Sequence, residues 1–215
     1  MNFLDLLIDT EKQEALASRI QGVVVGVVTN NQDPDGLGRV KVKFPWLSEE
    51  DESYWARLAT PMAGEKCGLF FLPEVDDEVL LAFEHGDVRF PYIIGALWNG
   101  KDQPPVNNQD GKNNVRLIKS RSGHVIRLND EDGKETIEIV DKNEKNSITV
   151  DTATNTITVK ADKDIMLSAP QGGIKLEAQT IEIKSSADTK LEAGAGMNVK
   201  ASATMTIKGT IVNIN

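Results

Sequence analysis

From Ile137 to Asn215 the apolar residues recur in pairs separated by one residue: Ile137/Ile139, Ile148/Val150, Ile157/Val159, Ile165/Leu167, Ile174/Leu176 and Ile181/Ile183. Leu191, Met197/Val199, Met205/Ile207 and a final Ile211, Val212 and Ile214 continue the series. A spacing of two puts both members of a pair on one face of a strand and the residue between them on the other. Short strands and polar turns repeated at a near-regular pitch are the pattern of a β-solenoid or fibre. Each pass offers only two large apolar side chains, too few to offset the entropy of ordering some eight residues by itself. A stretch of this kind rarely carries catalysis alone.

The rest of the chain is built differently. Every aromatic residue lies at or before Trp98: six Phe, three Trp and two Tyr. Aromatic side chains bury the most area in ordinary cores, so the two halves need different sources of stability, and a boundary is expected in the loop 99–114. Charge changes near the same place. Residues 1–105 hold 18 acidic and 9 basic side chains, whereas residues 106–215 hold 15 of each. Neither half offers a basic face for phosphates, which argues against nucleic acid as a partner. The balanced half reads as an interleaved, soluble surface.

Cys67 stands alone, so no intrachain disulfide can form. A thiol nucleophile needs a base beside it, and the better reading of Cys67 is a small apolar residue near a turn. No apolar run reaches membrane-spanning length, and the N-terminus lacks the basic start of a secretory signal. Assembly in the cytoplasm is the expectation.

Taken in order, Phe3, Leu4, Leu7, Ile8, Ala15, Leu16 and Ile20 are spaced by three and four, which predicts a helix over residues 2–20 ended by Gly22. This helix packs on its own domain or docks a partner. From Gly22 the pattern turns to β. Strands are expected at 23–29, 39–44, 54–59, 67–72, 78–84 and 92–97, with a long polar turn at 30–38. Five or six short strands in about eighty residues suggest a small closed barrel of the oligonucleotide/oligosaccharide-binding (OB) kind.

Specific motifs sit on these strands. They are Gly38-Arg39-Val40, Phe44-Pro45-Trp46, Tyr54-Trp55-Ala56-Arg57, Pro61, the run FLPEVDDEVLLAFEHGD ending at Asp87, and Pro91 through Trp98-Asn99-Gly100. Together they resemble the OB domain of contractile-tail spike proteins, the phage baseplate assembly protein V and VgrG-type family. Asp76 departs from the pattern, since the family usually has Gly there. The resemblance runs more loosely through Ser120–Ile139 into the repeats, a region that in this family resembles an intertwined trimeric β-helix. After the N-terminal helix read from apolar spacing (1–21), it implies an all-β chain: a five-stranded OB-fold barrel (22–100), a linker loop (101–114) and a β-helix spike (115–215) with regular repeats from about 137.

Three chains wound about one axis would also solve the physical problem of the repeat. Strands would pair with those of the other two chains, and the apolar pairs would share one dry core. The expected trimer core is Ile148, Val150, Ile157, Val159, Ile165, Leu167, Ile174, Leu176, Ile181, Ile183, Val199, Met205 and Ile207. Ile211, Val212, Ile214 and Asn215 would leave apolar and backbone groups at a blunt end, where the resemblance implies that a separate PAAR-type tip protein docks. A hub would be another polypeptide at the barrel end, and the spike would touch a target membrane only transiently.

Other chemistry is thinly represented. Asp33, Asp35 and Gly36 suggest part of a calcium loop, but Phe44 stands where a bidentate Glu is required, so a hairpin turn is the better reading. Glu74, Asp76, Asp77 and Glu78 suggest a paired-carboxylate site but precede an alternating strand, as a solvated turn does. His85 and His124 lack partners at metal-ligand spacing. No cofactor, metal or catalytic site is expected. The competing reading, a tailspike-like polysaccharide-degrading enzyme, calls for aromatic side chains to grip sugars along the shaft, and the shaft has none. An OB-fold nucleic-acid binder would need a basic surface with stacking aromatics.

Overall fold

The computed structural model describes residues 19–214. Their regular elements are β-strands, with a single turn of 3-10 helix at Glu84–Gly86, so the chain is all-β over this range. The expected N-terminal helix falls largely on residues 1–18, outside the described range. Of its last residues, Arg19 lies in a bend and the Ile20 N–H donates to Gly86 O at 3.0 Å.

The first sheet runs through β1 (Val23–Asn30), β2 (Lys41–Phe44), β3 (Ser48–Glu52), β4 (Arg57–Leu58), β7 (Glu78–Phe83) and β8 (Pro91–Ala96). A two-stranded ribbon, β5 (Ala63–Gly64) and β6 (Cys67–Gly68), lies apart from it. The order is β3-β2-β1-β7-β8-β4, and every neighbouring pair is antiparallel except β4 with β8. What closes it is the short segment 56–58. Ala56 exchanges both backbone hydrogen bonds with Val40, at 2.7 and 3.1 Å, while Arg57 and Leu58 pair with Tyr92 and Ile93 of β8. The circuit β1-β2-β4-β8-β7 is a five-stranded barrel, the OB architecture.

Alternation explains the barrel core. Val40, Val42 and Phe44 point inward while Lys41 and Lys43 point out, and Val79, Leu81 and Phe83 do the same on β7. With Val28, Ala56 and Ile93 they form one buried cluster. Gly26 is required where β1 crosses this cluster, because a Cβ there would sit 2.8 Å from Leu81 Cδ1 and 3.2 Å from Lys43 O.

A second sheet follows: β9 (Val115–Lys119), β10 (Val125–Asn129), β11 (Thr136–Val140), β12 (Ser147–Asp151) and β13 (Thr156–Lys160), an antiparallel meander in sequence order. Each neighbouring pair matches over five residues without a bulge. Local turn chemistry drives each reversal. Ser120 Oγ accepts from the His124 N–H, Asn129 Oδ1 from Glu131 N–H, Asp141 Oδ1 from Lys145 and Asn146 N–H, and Asp151 Oδ1 from Thr154 N–H. Glu144 and Asn155 take left-handed backbone at the last two turns. Residues 136–160 thus pair within the chain.

Residues 161–214 form a separate unit. Among the described residues of this unit there is no strand, and its one backbone–backbone hydrogen bond joins Gly172 N–H to Ala169 O.

Leu81 fills the middle of the barrel. Leu81→Ala is expected to destabilise the protein by about 2–5 kcal/mol, read as a lowered chemical-denaturation midpoint with near-native circular dichroism below it.

Candidate interaction surfaces

The long β1–β2 turn is wired internally. The Asp33 carboxylate, only 3% exposed, accepts the backbone N–H groups of Asp35, Leu37 and Arg39 at 3.1, 3.0 and 3.2 Å. It also takes Arg39 Nε at 2.9 Å and Nη2 at 2.7 Å, and the same Nη2 reaches Asp35 Oδ2 at 2.5 Å. The Arg39 guanidinium, with the three N–H donors, holds the Asp33 carboxyl well below the usual carboxylate range. The acids that suggested a cation loop are therefore occupied by a cation of the chain itself.

The acidic cluster before β7 is likewise a turn. Asp77 Oδ2 accepts the Glu74 N–H at 2.8 Å, and the Asp77 N–H returns to Glu74 O at 3.2 Å. Asp76 sits at φ 75°, a left-handed conformation that glycine adopts without strain, while its N–H donates to Val28 O at 2.9 Å. The two histidines occupy separate turns: His85 lies in the 3-10 turn, and His124 Nδ1 accepts the Lys142 N–H at 3.3 Å. Among the described residues no three His, Cys, Asp or Glu side chains gather as a metal site.

The second sheet presents a different kind of surface. Its register aligns Ile118, Ile126, Ile139, Ile148 and Val159 in one cross-strand row, and Arg116, Leu128, Ile137, Val150 and Ile157 in the next. All but Arg116 are apolar, and Arg116 pairs with Asp130 at the edge of the sheet. These apolar side chains stay open, from 42% exposed at Leu128 to 73% at Ile157, with Val150 less so. The opposite face carries the row Leu117, Arg127, Glu138, Thr149 and Thr158, in which Arg127 and Glu138 form an ion pair.

The barrel sequence has counterparts among known proteins. Residues 24–98 match the family of type VI secretion system/phage-baseplate injector OB domains. The VgrG3 spike protein of the Vibrio cholerae type VI secretion system is 33% identical over 107 residues, covering 46% of this chain and 10% of that protein. The VgrG1a spike protein of Pseudomonas aeruginosa is 31% identical over 144 residues, covering 59% of this chain and 22% of that protein. The chain is similar to VgrG-type spike proteins, with the injector OB-domain match confined to residues 24–98. An actin cross-linking toxin of V. cholerae, VgrG1, is 31% identical over 111 residues, covering 48% of this chain and 10% of that protein. The chain spans between 10% and 22% of the length of these relatives.

Against this spike family the residues singled out in the sequence fall into two groups. Ile148, Val150, Ile157 and Val159 lie on the apolar face of the second sheet, aligned across β12 and β13. Ile165, Leu167, Ile174, Leu176, Ile181, Ile183, Val199, Met205 and Ile207 lie in the unit 161–214 and are exposed, as are Ile211, Val212 and Ile214; Asn215 is outside the described residues. Lys175 with Glu177, Glu182 with Lys184 and Lys190 with Glu192 form ion pairs two residues apart, a spacing that extended backbone brings to one side. Ile118, Ile126 and Leu128 were not expected in this surface. Their signal was the Ile126/Leu128 pair, the same two-residue spacing eleven residues before Ile137/Ile139.

Two turns give tests. Asp76→Gly is expected to stabilise the barrel by up to about 1 kcal/mol by relieving left-handed strain, seen as a higher melting temperature. Asp33 has a depressed carboxyl pKa in the folded chain, so its stabilising contribution is complete above the ordinary carboxylate value and is lost as pH falls below it. The stability gap between wild type and Asp33→Asn, followed by denaturant titration from pH 7 downward, is expected to hold to about pH 4 and then shrink.

Proposed function

We propose that the protein is the central spike of a contractile injection apparatus or phage baseplate: a homotrimer that joins hub and tube to a tip and pierces the target envelope mechanically. The observation that carries this reading is the unit 161–214, which forms no strand among the described residues and carries exposed apolar pairs interleaved with Lys–Glu ion pairs two residues apart. Backbone N–H and C=O groups and aliphatic side chains left in this state are satisfied together when neighbouring copies supply strands above and below. A ring of copies has no free lateral edge, and three is the smallest number that encloses a core.

In this reading the chain divides as 1–21 N-terminal segment, 22–100 barrel, 101–114 linker and 115–215 spike. The residues from Ile148 to Ile207 named above form the trimer core. Ile211, Val212, Ile214 and Asn215 hold a PAAR-type tip protein, and a separate hub engages the barrel end. The work of the molecule is structural: contraction drives it forward, and hydrogen bonds between chains along the shaft resist buckling. This reading assigns the chain no catalysis, and the acids of the barrel turns serve as caps and ion-pair partners. The particle, once assembled in the cytoplasm, is phage-tail-like.

Light scattering coupled to size exclusion tests the reading. The expected mass is three times the 23.5 kDa chain; a monomer at micromolar concentration would sink it.

A further inference from the structure

We infer that the cleft between the end of β8 and the start of β9 is a binding site for a neutral oligosaccharide, with acetamido sugars the class that fits it best. The cleft has a volume of about 750 Å³, within the roughly 300–1,000 Å³ of small-ligand sites. Its one aromatic wall is Trp98, two residues beyond β8, and Val106, Val115 and Leu117 add apolar lining. The site is separate from the mechanical role proposed above and does not depend on the number of copies.

What the lining leaves unsatisfied points to the ligand. Trp98 is 69% exposed. Among the described residues its indole N–H and the side-chain amides of Asn107, Gln109, Asn113 and Asn114 have no hydrogen-bond partner, although all five side chains line the cleft. Each primary amide offers two donors and one acceptor, and each sugar hydroxyl is donor and acceptor at once. A pyranose can lay its C–H face on the indole, whose body is apolar and whose tip is polar, while its hydroxyls meet the amides. An acetamido group adds an N–H and a C=O for the same amides and a methyl for Val106. The cleft is also largely built before any ligand arrives. Asn99 Oδ1 accepts the Lys101 and Asp102 N–H groups at 2.8 and 2.7 Å, and Asn108 Oδ1 accepts the Asn113 N–H at 2.6 Å. A linker tied at both ends has less freedom to lose on binding.

Charge narrows the class. No Lys or Arg is among the residues lining the cleft, and the one ionisable side chain there is Asp110, whose Oδ1 accepts the Lys112 N–H at 3.1 Å. Phosphates and uronic acids, which call for charge-assisted donors, therefore find no counter-charge, and a nucleotide is disfavoured although its base could stack. Proline-rich peptides dock in grooves lined by several aromatic side chains, whereas here a single ring stands among amides.

Isothermal titration calorimetry on the full-length chain tests this with three probes: chitotriose, a neutral trimer of N-acetylglucosamine; maltotriose, which lacks the acetamido groups; and octaproline. Saturable binding of chitotriose is expected, with maltotriose several-fold weaker and octaproline silent. Removing an aromatic anchor is costly, so Trp98→Ala is expected to weaken chitotriose at least about tenfold, and Gln109→Ala a few-fold, with Trp98→Phe keeping more affinity than Trp98→Ala. Both positions are exposed, and circular dichroism of each variant checks that the fold is kept; should Trp98→Ala fail that check, Trp98→Phe and Gln109→Ala carry the comparison. No heat with chitotriose up to about 10 mM would overturn the site, as would equal affinities in wild type and the folded variants. Binding of octaproline in preference to either sugar would replace the sugar with a peptide. The molecular mass is a separate measurement, so a failed titration leaves the trimeric spike standing, and a monomeric mass leaves the sugar site standing.

Discussion

A strand with one apolar side has to cover that side, and the chain does so in two ways. In the barrel the cover is internal. Closure through the Val40–Ala56 bridge and the parallel Arg57–Tyr92 pairing curls one sheet until Val42, Leu81 and Ile93 face one another. Without that short segment β8 would remain an edge and the barrel would not close, opening the core to water. The barrel can therefore be stable as part of a single chain. The meander has the same alternation but lies open, so its stability depends on what meets it.

Turn chemistry decides which of these solutions a segment adopts. Up to residue 160 each strand is followed by side chains that build a tight reversal: Ser120, Asn129, Asp141 and Asp151 each accept backbone N–H groups, and left-handed residues complete the turns. Such turns return the chain beside the strand just made, and an antiparallel ladder follows. Beyond 160 the apolar spacing persists, and the turns there include Ala169–Gly172, closed by a backbone hydrogen bond, and a short one at Ser185, whose Oγ accepts the Ala187 N–H. With few such caps, the residues beyond 160 form no ladder among themselves in the described range.

This distinction also explains what could be read in the sequence. Alternation on β2 and β7 exposed the barrel strands directly, because one face is wet and the other dry. Ser48–Glu52 escaped, since an edge strand made of Ser, Glu and Asp has no apolar side to show. The expected strand at 67–72 shrank to Cys67–Gly68 because Gly68, with φ 151° and Met62 O at 2.5 Å from where its Cβ would be, turns the ribbon sharply. The acidic motifs were legible as turns but not as clamps; that Arg39 satisfies Asp33 depends on two ends of a loop meeting. Apolar spacing marked Ile148 to Val159 as candidate core residues, and the sheet places them on its open apolar face. It could not separate these ladder-paired strands from the residues beyond 160, which form no strand in the described range.

Under the three-copy arrangement proposed above, the lack of aromatic residues after Trp98 has a geometric reason. Face-to-face sheets pack about 10 Å apart, and three walls meeting about one axis leave a narrower space than two. Branched aliphatic side chains fill such a space at every strand pitch, whereas a ring would force the walls apart locally and break register above and below it. In the barrel, Phe44 and Phe83 can sit 5.9 Å apart, centroid to centroid, because one curved sheet surrounds them. Under the three-copy arrangement any misfit is multiplied by three at the same height on the axis, so uniform Ile, Val, Leu and Met is the composition that a long, straight, shared core selects.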